Sequence, residues 1–260
     1  MLTLTPDIKA HFKNDDMAFA HIMQLDGDTF RNMNGRITKR IILGGHPYFI
    51  KQHHGVGGRE IIKNYLQLKH PIVSARNEWL ALQLLQECNI LVPKVLGYGE
   101  KGRNPAKRRS FIILEAIEPA ISLEALTNEW KNKAPEVAFK RTLIDAVADI
   151  TANMHALGIN HRDLYICHFL LKQNSKDGSL PLYLIDLHRA QIRDIVPLRW
   201  LAKDLAGLYF SSLHIGLTKR DRFRFMKRYA RKTLRDTLTH DANLWDKVYF
   251  RGEKLNRGHQ

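Results

Sequence analysis

Cysteine is scarce: Cys88 and Cys167 are the two in 260 residues. Two thiols without a metal-ligand spacing exclude a disulfide framework and a thiolate metal cluster, and they suit a reducing compartment. No apolar run approaches the roughly 18 residues that would mark a bilayer-crossing helix. The first residues carry Asp7, Asp15 and Asp16 and no apolar core, so no signal peptide is expected. Glycine is sparse where phosphate binding would need it. The turn Asn32-Met33-Asn34-Gly35-Arg36 holds one glycine, and no G-x-G-x-x-G is present, so backbone cradling of a nucleotide has little support there. Acidic residues are also in deficit, 26 Asp+Glu against 41 Lys+Arg, a net charge of +15. That imbalance predicts a polyanionic partner, whether nucleic acid, an anionic membrane or a phosphorylated substrate; solubility alone is the plainer reading. No known RNA or DNA motif and no basic-aromatic interleaving accompanies the charge, so a nucleic-acid partner is not expected.

What is present is a folded chain, with 44% apolar and 26% charged residues. Its length suits one two-lobed domain or two small ones. Residues 1–25 show little periodicity and read as an extension. From Thr29 to His53 the pattern is strand-like, with a turn at Gly44-Gly45-His46-Pro47 between Ile41-Ile42-Leu43 and Tyr48-Phe49-Ile50-Lys51. Gly55-Val56-Gly57-Gly58-Arg59 follows, as a flexible loop or a phosphate contact. Helices are expected over Glu60–Lys69, closed by Pro71, and over Ala75–Glu87. Strands follow over Val92–Gly99 and Ser110–Ala116, joined by a basic loop from Lys101 to Arg109. Glu115-Ala116-Ile117-Glu118-Pro119 breaks the sheet pattern and reads as a hinge. Its backbone, at Glu115 and Ile117, would hold adenine.

Beyond that point the pattern becomes helical. Leu143, Val147, Ile150, Met154 and Leu157 recur at helical spacing, and Gly158 suits the position after the last turn. This helix feeds into Asn160-His161-Arg162-Asp163-Leu164-Tyr165-Ile166-Cys167-His168. The stretch is similar to the protein-kinase catalytic loop H-R-D-x-x-x-x-N, with His168 in place of the Asn. Two short strands, His168–Leu171 and Leu182–Ile185, then lead to Asp186 and would set it near Asp163.

Lys51, Glu78, Asp163, His168 and Asp186 stand in kinase order. Each has a bland reading alone: an edge-strand lysine, a solvated helix charge, a turn aspartate. As an ordered set they supply what phosphoryl transfer needs. Lys51 would sit on the phosphates of ATP and be held there by Glu78. Asp186 would hold Mg2+, and Asp163 would orient the attacking hydroxyl. Imidazole is a less natural magnesium ligand than an amide oxygen, so His168 is either a metal ligand or a hydrogen-bond partner of the catalytic Asp or the substrate. Asp186 is followed by Leu187-His188 and not by Phe-Gly, and the stretch to Asp204 is short and lacks A-P-E. Both point to a small-molecule acceptor. Asp204 is expected to open a helix and steady the catalytic loop. Arg220, Arg224, Arg228, Arg231 and Arg235 form a basic stripe over Thr218–Arg235. It suits an anionic leaflet or is simply a solvated helix face.

The segments at 160–171, at 184–191 (Leu-Ile-Asp-Leu-His-Arg-Ala-Gln) and at 203–212 (Lys-Asp-Leu-Ala-Gly-Leu-Tyr-Phe-Ser-Ser) closely resemble the lipopolysaccharide core heptose(I) kinase (WaaP/RfaP) family. Tyr48-Phe49-Ile50-Lys51 and Asn77-Glu78-Trp79 extend the likeness over nearly the whole chain. Leu164 stands where that family carries Cys, and the His at 168 is a family trait. The resemblance implies an α+β, bilobal, protein-kinase-like fold. Residues 1–116 would form a small antiparallel-sheet lobe and 117–260 a mainly helical catalytic lobe. It implies transfer of the γ-phosphate of ATP to O4 of heptose I in the inner core of lipopolysaccharide, with Asp163 as base and Lys51 as the ATP lysine. The acceptor would be a lipid A–core intermediate at the cytoplasmic face of the inner membrane of a Gram-negative bacterium, with the enzyme peripheral to that surface. Acyl carrier protein is a further candidate partner. The alternatives are another sugar kinase of the same fold, such as a Kdo kinase, or a non-catalytic kinase-like binding module.

Overall fold

The computed structural model describes residues 1–12, 15–33, 35–55, 57, 73–174 and 179–258. The helix expected over Glu60–Lys69 lies outside these residues, as do Asn34, three residues of the Gly55–Arg59 cluster, and 175–178. The chain forms two compact units. One comprises Met1–Gln86 and Pro93–Ala116, the other Glu87–Val92 and Ile117–Gln260.

The first unit is built on a six-stranded antiparallel sheet of β1 (Leu2–Leu4), β2 (Asp28–Met33), β3 (Arg36–Leu43), β4 (His46–His53), β5 (Val95–Lys101) and β6 (Arg109–Glu115). Their order is β1-β5-β6-β4-β3-β2. The β3–β4 connection is a two-residue turn at Gly44 and Gly45, whose φ values are +57° and +82°. Such a turn requires positive φ at both positions, which glycine adopts without a Cβ clash. The first 25 residues are not an extension. They form β1, which pairs with β5, and the helices α1 (Pro6–Lys9) and α2 (Asp15–Ile22). Ile8, Phe12, Phe19 and Ile22 pack with Ile41, Ile50, Phe111 and Ile113 in one core. These elements are too short to display a helical or strand period, which is why the pattern there is silent. The helix α3 (Arg76–Glu87) buries Ala81, Leu82 and Leu85.

The second unit is mainly helical: α4 (Leu123–Thr127), α5 (Val137–Ala156), α6 (Leu198–Ser211), α7 (Lys219–Ala230), α8 (Leu234–His240) and α9 (Ala242–Arg257). β7 (Ala120–Ser122), β9 (Phe169–Lys172) and β10 (Leu182–Leu184) form a small sheet; β8 (Ile159–Asn160) pairs with β11 (Gln191–Ile192). The expected long helix is α5, with Leu143, Val147 and Met154 buried. It ends at Gly158, whose φ is +74°; a Cβ there would lie 1.7 Å from the Arg193 carbonyl oxygen. The expected α+β class is the one observed.

The basic stripe is not one helix face. Thr218 starts α7 with a capping box, and Arg231 closes it in the left-handed region, as polar chain ends favour. Arg224 pairs with Asp145 at 3.0 Å, Arg228 chelates Asp149 at 2.7 and 2.6 Å, and Arg231 bonds Asn153, all on α5. Much of the stripe thus serves α5–α7 packing. No helix among the described residues is long and apolar enough to cross a membrane.

Candidate active site

In the second unit, one face of α6 holds the loop that follows β8. Asp204, Gly207 and Ser211 recur at helical spacing and all meet that loop. Asp204 is fully buried, and its carboxylate accepts the backbone N–H of His161 at 2.6 Å and of Arg162 at 2.7 Å. Gly207 lets the helix approach closely, since a Cβ there would sit 2.7 Å from the Leu164 carbonyl oxygen. The Ser211 hydroxyl accepts the N–H of Ile166 at 3.0 Å. Asp204 therefore steadies the loop from mid-helix. It does not open the helix as expected, because α6 begins earlier, after Pro197. Behind it, Asp204 lies 3.4 Å from His155 Nε2, and His155 Nδ1 lies 2.8 Å from the Tyr229 hydroxyl. Burial, followed by the charges of Asp204 and Asp241, pushes the Tyr229 phenol above its ordinary range.

The loop carries Arg162 at φ +73° and then Asp163. Both Asp163 carboxylate oxygens accept from Arg189 Nη1 at 2.8 Å. An ionised carboxylate has about four acceptor sites, so a hydroxyl can still bind beside the guanidinium. His168 Nδ1 lies 2.7 Å from the backbone carbonyl oxygen of Asp163. A carbonyl only accepts, so Nδ1 carries the proton and Nε2 turns outward, 3.7 Å from Asp186 Oδ2. The other Asp186 oxygen accepts from His188 Nδ1 at 2.8 Å. Asp186 sits in the left-handed region, at φ +63° and ψ +47°, a conformation that costs about 1–2 kcal/mol. His161 stacks on His168 with ring centroids 5.4 Å apart and donates from Nε2 to the Ile185 carbonyl at 3.0 Å. Burial holds the His161 imidazole well below its usual pKa, so it is the neutral Nε2–H form.

Thus Asp163, His168 and Asp186 come together, with His168 as the link. In the first unit Lys51 Nζ donates to Glu78 Oε1 at 2.6 Å. Glu78 is almost wholly buried, and its second oxygen has no hydrogen-bond partner among the described residues. Lys51 pairs with Ile112 across β4 and β6. Glu115 ends β6; it is exposed, and its N–H is taken by the Lys94 carbonyl. Its backbone donor is therefore occupied. Ile117 begins the longer stretch of the second unit, is buried and makes no backbone hydrogen bond among the described residues.

No cluster of three or more His, Cys, Asp or Glu side chains suits a metal ion among the described residues. Magnesium does not need one. It is bound through one or two carboxylates, with substrate phosphates and retained waters completing six ligands. Asp186 fits that pattern, and His168 donates Nδ1–H to a backbone carbonyl and turns Nε2 outward, as a ligating histidine does. The second unit also contains an apolar cavity of about 470 Å³, lined by Leu123, Trp130, Leu143, Val147, Phe225 and Met226 among others.

Residues 20–229 match the lipopolysaccharide kinase (Kdo/WaaP) family. The chain belongs to that family. The lipopolysaccharide core heptose(I) kinase WaaP of Pseudomonas aeruginosa is 45% identical, over 91% of this chain and 89% of its own. That of Escherichia coli (strain K12) is 47% identical, over 92% and 91%. A solved structure described as WaaP in complex with acyl carrier protein superposes with a TM-score of 0.83 at 39% identity. It covers 98% of this chain and 99% of that one. This kinase family places ATP use and the kinase-like fold on firm ground. Sequence reasoning misses Arg189 and His188, which lie within residues 184–191. The signal was a cation one helical turn after Asp186.

Proposed function

We propose that the chain phosphorylates heptose I of the lipopolysaccharide inner core, at O4, using ATP and Mg2+. The observation that carries this reading is the Asp163–His168–Asp186 cluster, set in a chain 47% identical to a core heptose(I) kinase. Asp163 orients the acceptor hydroxyl and takes its proton on a carboxylate oxygen, a contribution of about 10²–10⁴-fold. Arg189 fixes the carboxylate so that it presents one geometry to the hydroxyl. Lys51, held by Glu78, binds the nucleotide phosphates, and the backbone at Glu115 and Ile117 receives adenine. Asp186, with His168, would hold the magnesium ion, which neutralises charge on the phosphoryl oxygens when bound. His168 also fixes the loop through the Asp163 carbonyl. Residues 1–116 and 117–260 act as the nucleotide-lysine lobe and the catalytic lobe.

The acceptor is a lipid A–core intermediate, and the net charge of +15 supports peripheral docking at the cytoplasmic face of an anionic inner membrane. The paired arginines of α7 do not add to that support. Acyl carrier protein is a proposed partner. The likeness to a solved WaaP in complex with acyl carrier protein supports it, and the 470 Å³ apolar cavity suits an acyl chain.

The test is transfer from γ-labelled ATP to heptosylated and heptose-free cores. Label on the heptosylated core alone is expected, lost in Asp163→Ala without a change in melting temperature. Label on a Kdo-only core would make it another sugar kinase, and nucleotide binding without turnover would make it a binding module.

A further inference from the structure

Among the described residues, Arg189 is the cation that hydrogen-bonds the Asp163 carboxylate. Four others surround the Trp200 ring in the first turn of α6. Their cationic centres lie near its centroid: Arg162 at 5.4 Å, Arg193 at 5.7 Å, Arg199 at 5.2 Å and Lys203 at 5.5 Å. None of the four is ion-paired with a carboxylate among the described residues. Arg193 donates instead to the side-chain oxygens of Asn160 and Gln191. Arg162 is 7% exposed, and its Nε–H has no acceptor among the described residues; nor has the Trp200 indole N–H. Two buried donors therefore point to a missing acceptor.

The electrostatics agree. Burial pushes Arg162 below its ordinary range, and the positive charge of Arg189 pushes it further. Burial first and Arg189 second bring Lys203 down to about 8. Asp163 and Asp204 attract Arg162 and Lys203 without offsetting burial, and one indole ring supplies only a modest further attraction, so gathering these like charges partly out of water is costly. The N-terminal end of α6 adds its partial positive charge at the same place. Planar guanidinium groups beside an ammonium are the donor set that recognises a carboxylate or a phosphate.

We propose that Arg162, Arg199 and Lys203, arranged around Trp200, form the subsite for an acidic group of the acceptor. That group, a carboxylate or a phosphate, belongs to the part of the acceptor adjoining the sugar whose hydroxyl reaches Asp163. The proposal rests on the reading of the chain as a sugar kinase. Arg189 connects the two sites: it holds Asp163 and lies within Coulombic reach of Arg162 and Lys203. An acid seated at Trp200 would orient the acceptor at the catalytic carboxylate.

The experiment measures steady-state kinetics of the full chain on three acceptors: native heptosylated core, the same core with its carboxylates methyl-esterified, and the same core with its phosphates removed. Arg199→Gln and Lys203→Gln should each raise the acceptor KM about tenfold, the loss of one charge-assisted contact, with the KM for ATP unmoved. Lys203→Arg should restore the wild-type value, Arg199→Gln should melt with the wild type, and Lys203→Gln should melt no lower. Arg199 is exposed, so its variant removes charge and not packing. The acceptor lacking its acid should cost the wild type the same tenfold and the variants nothing more. Loss on esterification assigns the carboxylate; loss on phosphate removal assigns the phosphate. A wild type indifferent to both, or variants with an unchanged acceptor KM, overturns the subsite alone. A wild type that transfers to no acceptor removes the kinase reading and the subsite together.

Discussion

Asp204→Asn tests the claim that α6 holds the catalytic loop. The carboxylate accepts two backbone N–H groups, at 2.6 and 2.7 Å, in a site with no solvent exposure. The amide keeps one acceptor oxygen and presents an NH2 group to the other N–H. One charge-assisted bond is lost and one buried donor is stranded, at about 2–4 kcal/mol. For a chain of this size each kcal/mol moves the midpoint by about 2–4 °C. A fall of at least roughly 4 °C is therefore expected by calorimetry. Phosphoryl transfer should fall about 100-fold, the cost of a ~1 Å displacement at a catalytic group. His155→Gln, which touches the same carboxylate through a longer 3.4 Å contact and otherwise disturbs the bond to Tyr229, should cost much less through the loop. The reasoning fails if Asp204→Asn melts within about 1 °C of the wild type with full activity, because the loop would then hold itself.

Three further outcomes follow from the geometry. Glu78→Gln removes the charge that holds Lys51 at 2.6 Å, and should lower kcat/KM for ATP about 100-fold with little change in melting; an unchanged kcat/KM would contradict the proposed role of the pair. Gly158→Ala sets a Cβ 1.7 Å from a backbone carbonyl at a φ of +74°, and should destabilise by more than about 2 kcal/mol, measured by urea unfolding at constant m-value. Lys203 has its folded pKa brought down to about 8 from 10.5. Between these pH values the unfolded chain holds more protons, so stability rises with pH across that window; below pH 8 the full cost of the buried charge is present. The melting temperature of the wild type minus that of Lys203→Met should climb from pH 8 to 10.5, and a flat difference would refute the burial of this ammonium.

Much of the site is legible in the sequence because its parts lie on elements with strong periods or distinctive turns. Lys51 follows an aromatic-apolar run on β4, and Glu78 lies on a helix that declares its buried face through Leu82 and Leu85. Their meeting at 2.6 Å follows from that placement. The failures have different causes. The first 25 residues contribute Ile8, Phe19 and Ile22 to the core through a three-residue strand and short helices, and elements that short leave no period to read. The arginines of α7 form a stripe in sequence, but a stripe does not say what it faces. Asp145 and Asp149 on α5 lie far away in sequence, and they decide it. Arg189 is likewise invisible to pattern. Its role comes from a single turn of 3-10 helix after Asp186, over Leu187–Arg189, which brings the guanidinium to Asp163.

His168 shows most plainly what a sequence withholds. Its position in the motif suggests a metal ligand, and its chemistry suggests a hydrogen-bonding group; the residue type supports both. Each ring nitrogen has its own task, and which nitrogen does which is set by the partner of the other. Here the partner is the backbone carbonyl of Asp163, which demands a proton on Nδ1 and so leaves Nε2 directed at Asp186. The same imidazole thus fixes the backbone of the proposed base and presents a nitrogen beside the proposed magnesium carboxylate. The two readings are not rivals. An asparagine reproduces them with different atoms, its amide N–H for one and its oxygen for the other. That equivalence explains how a histidine can stand at this place in a kinase-like loop.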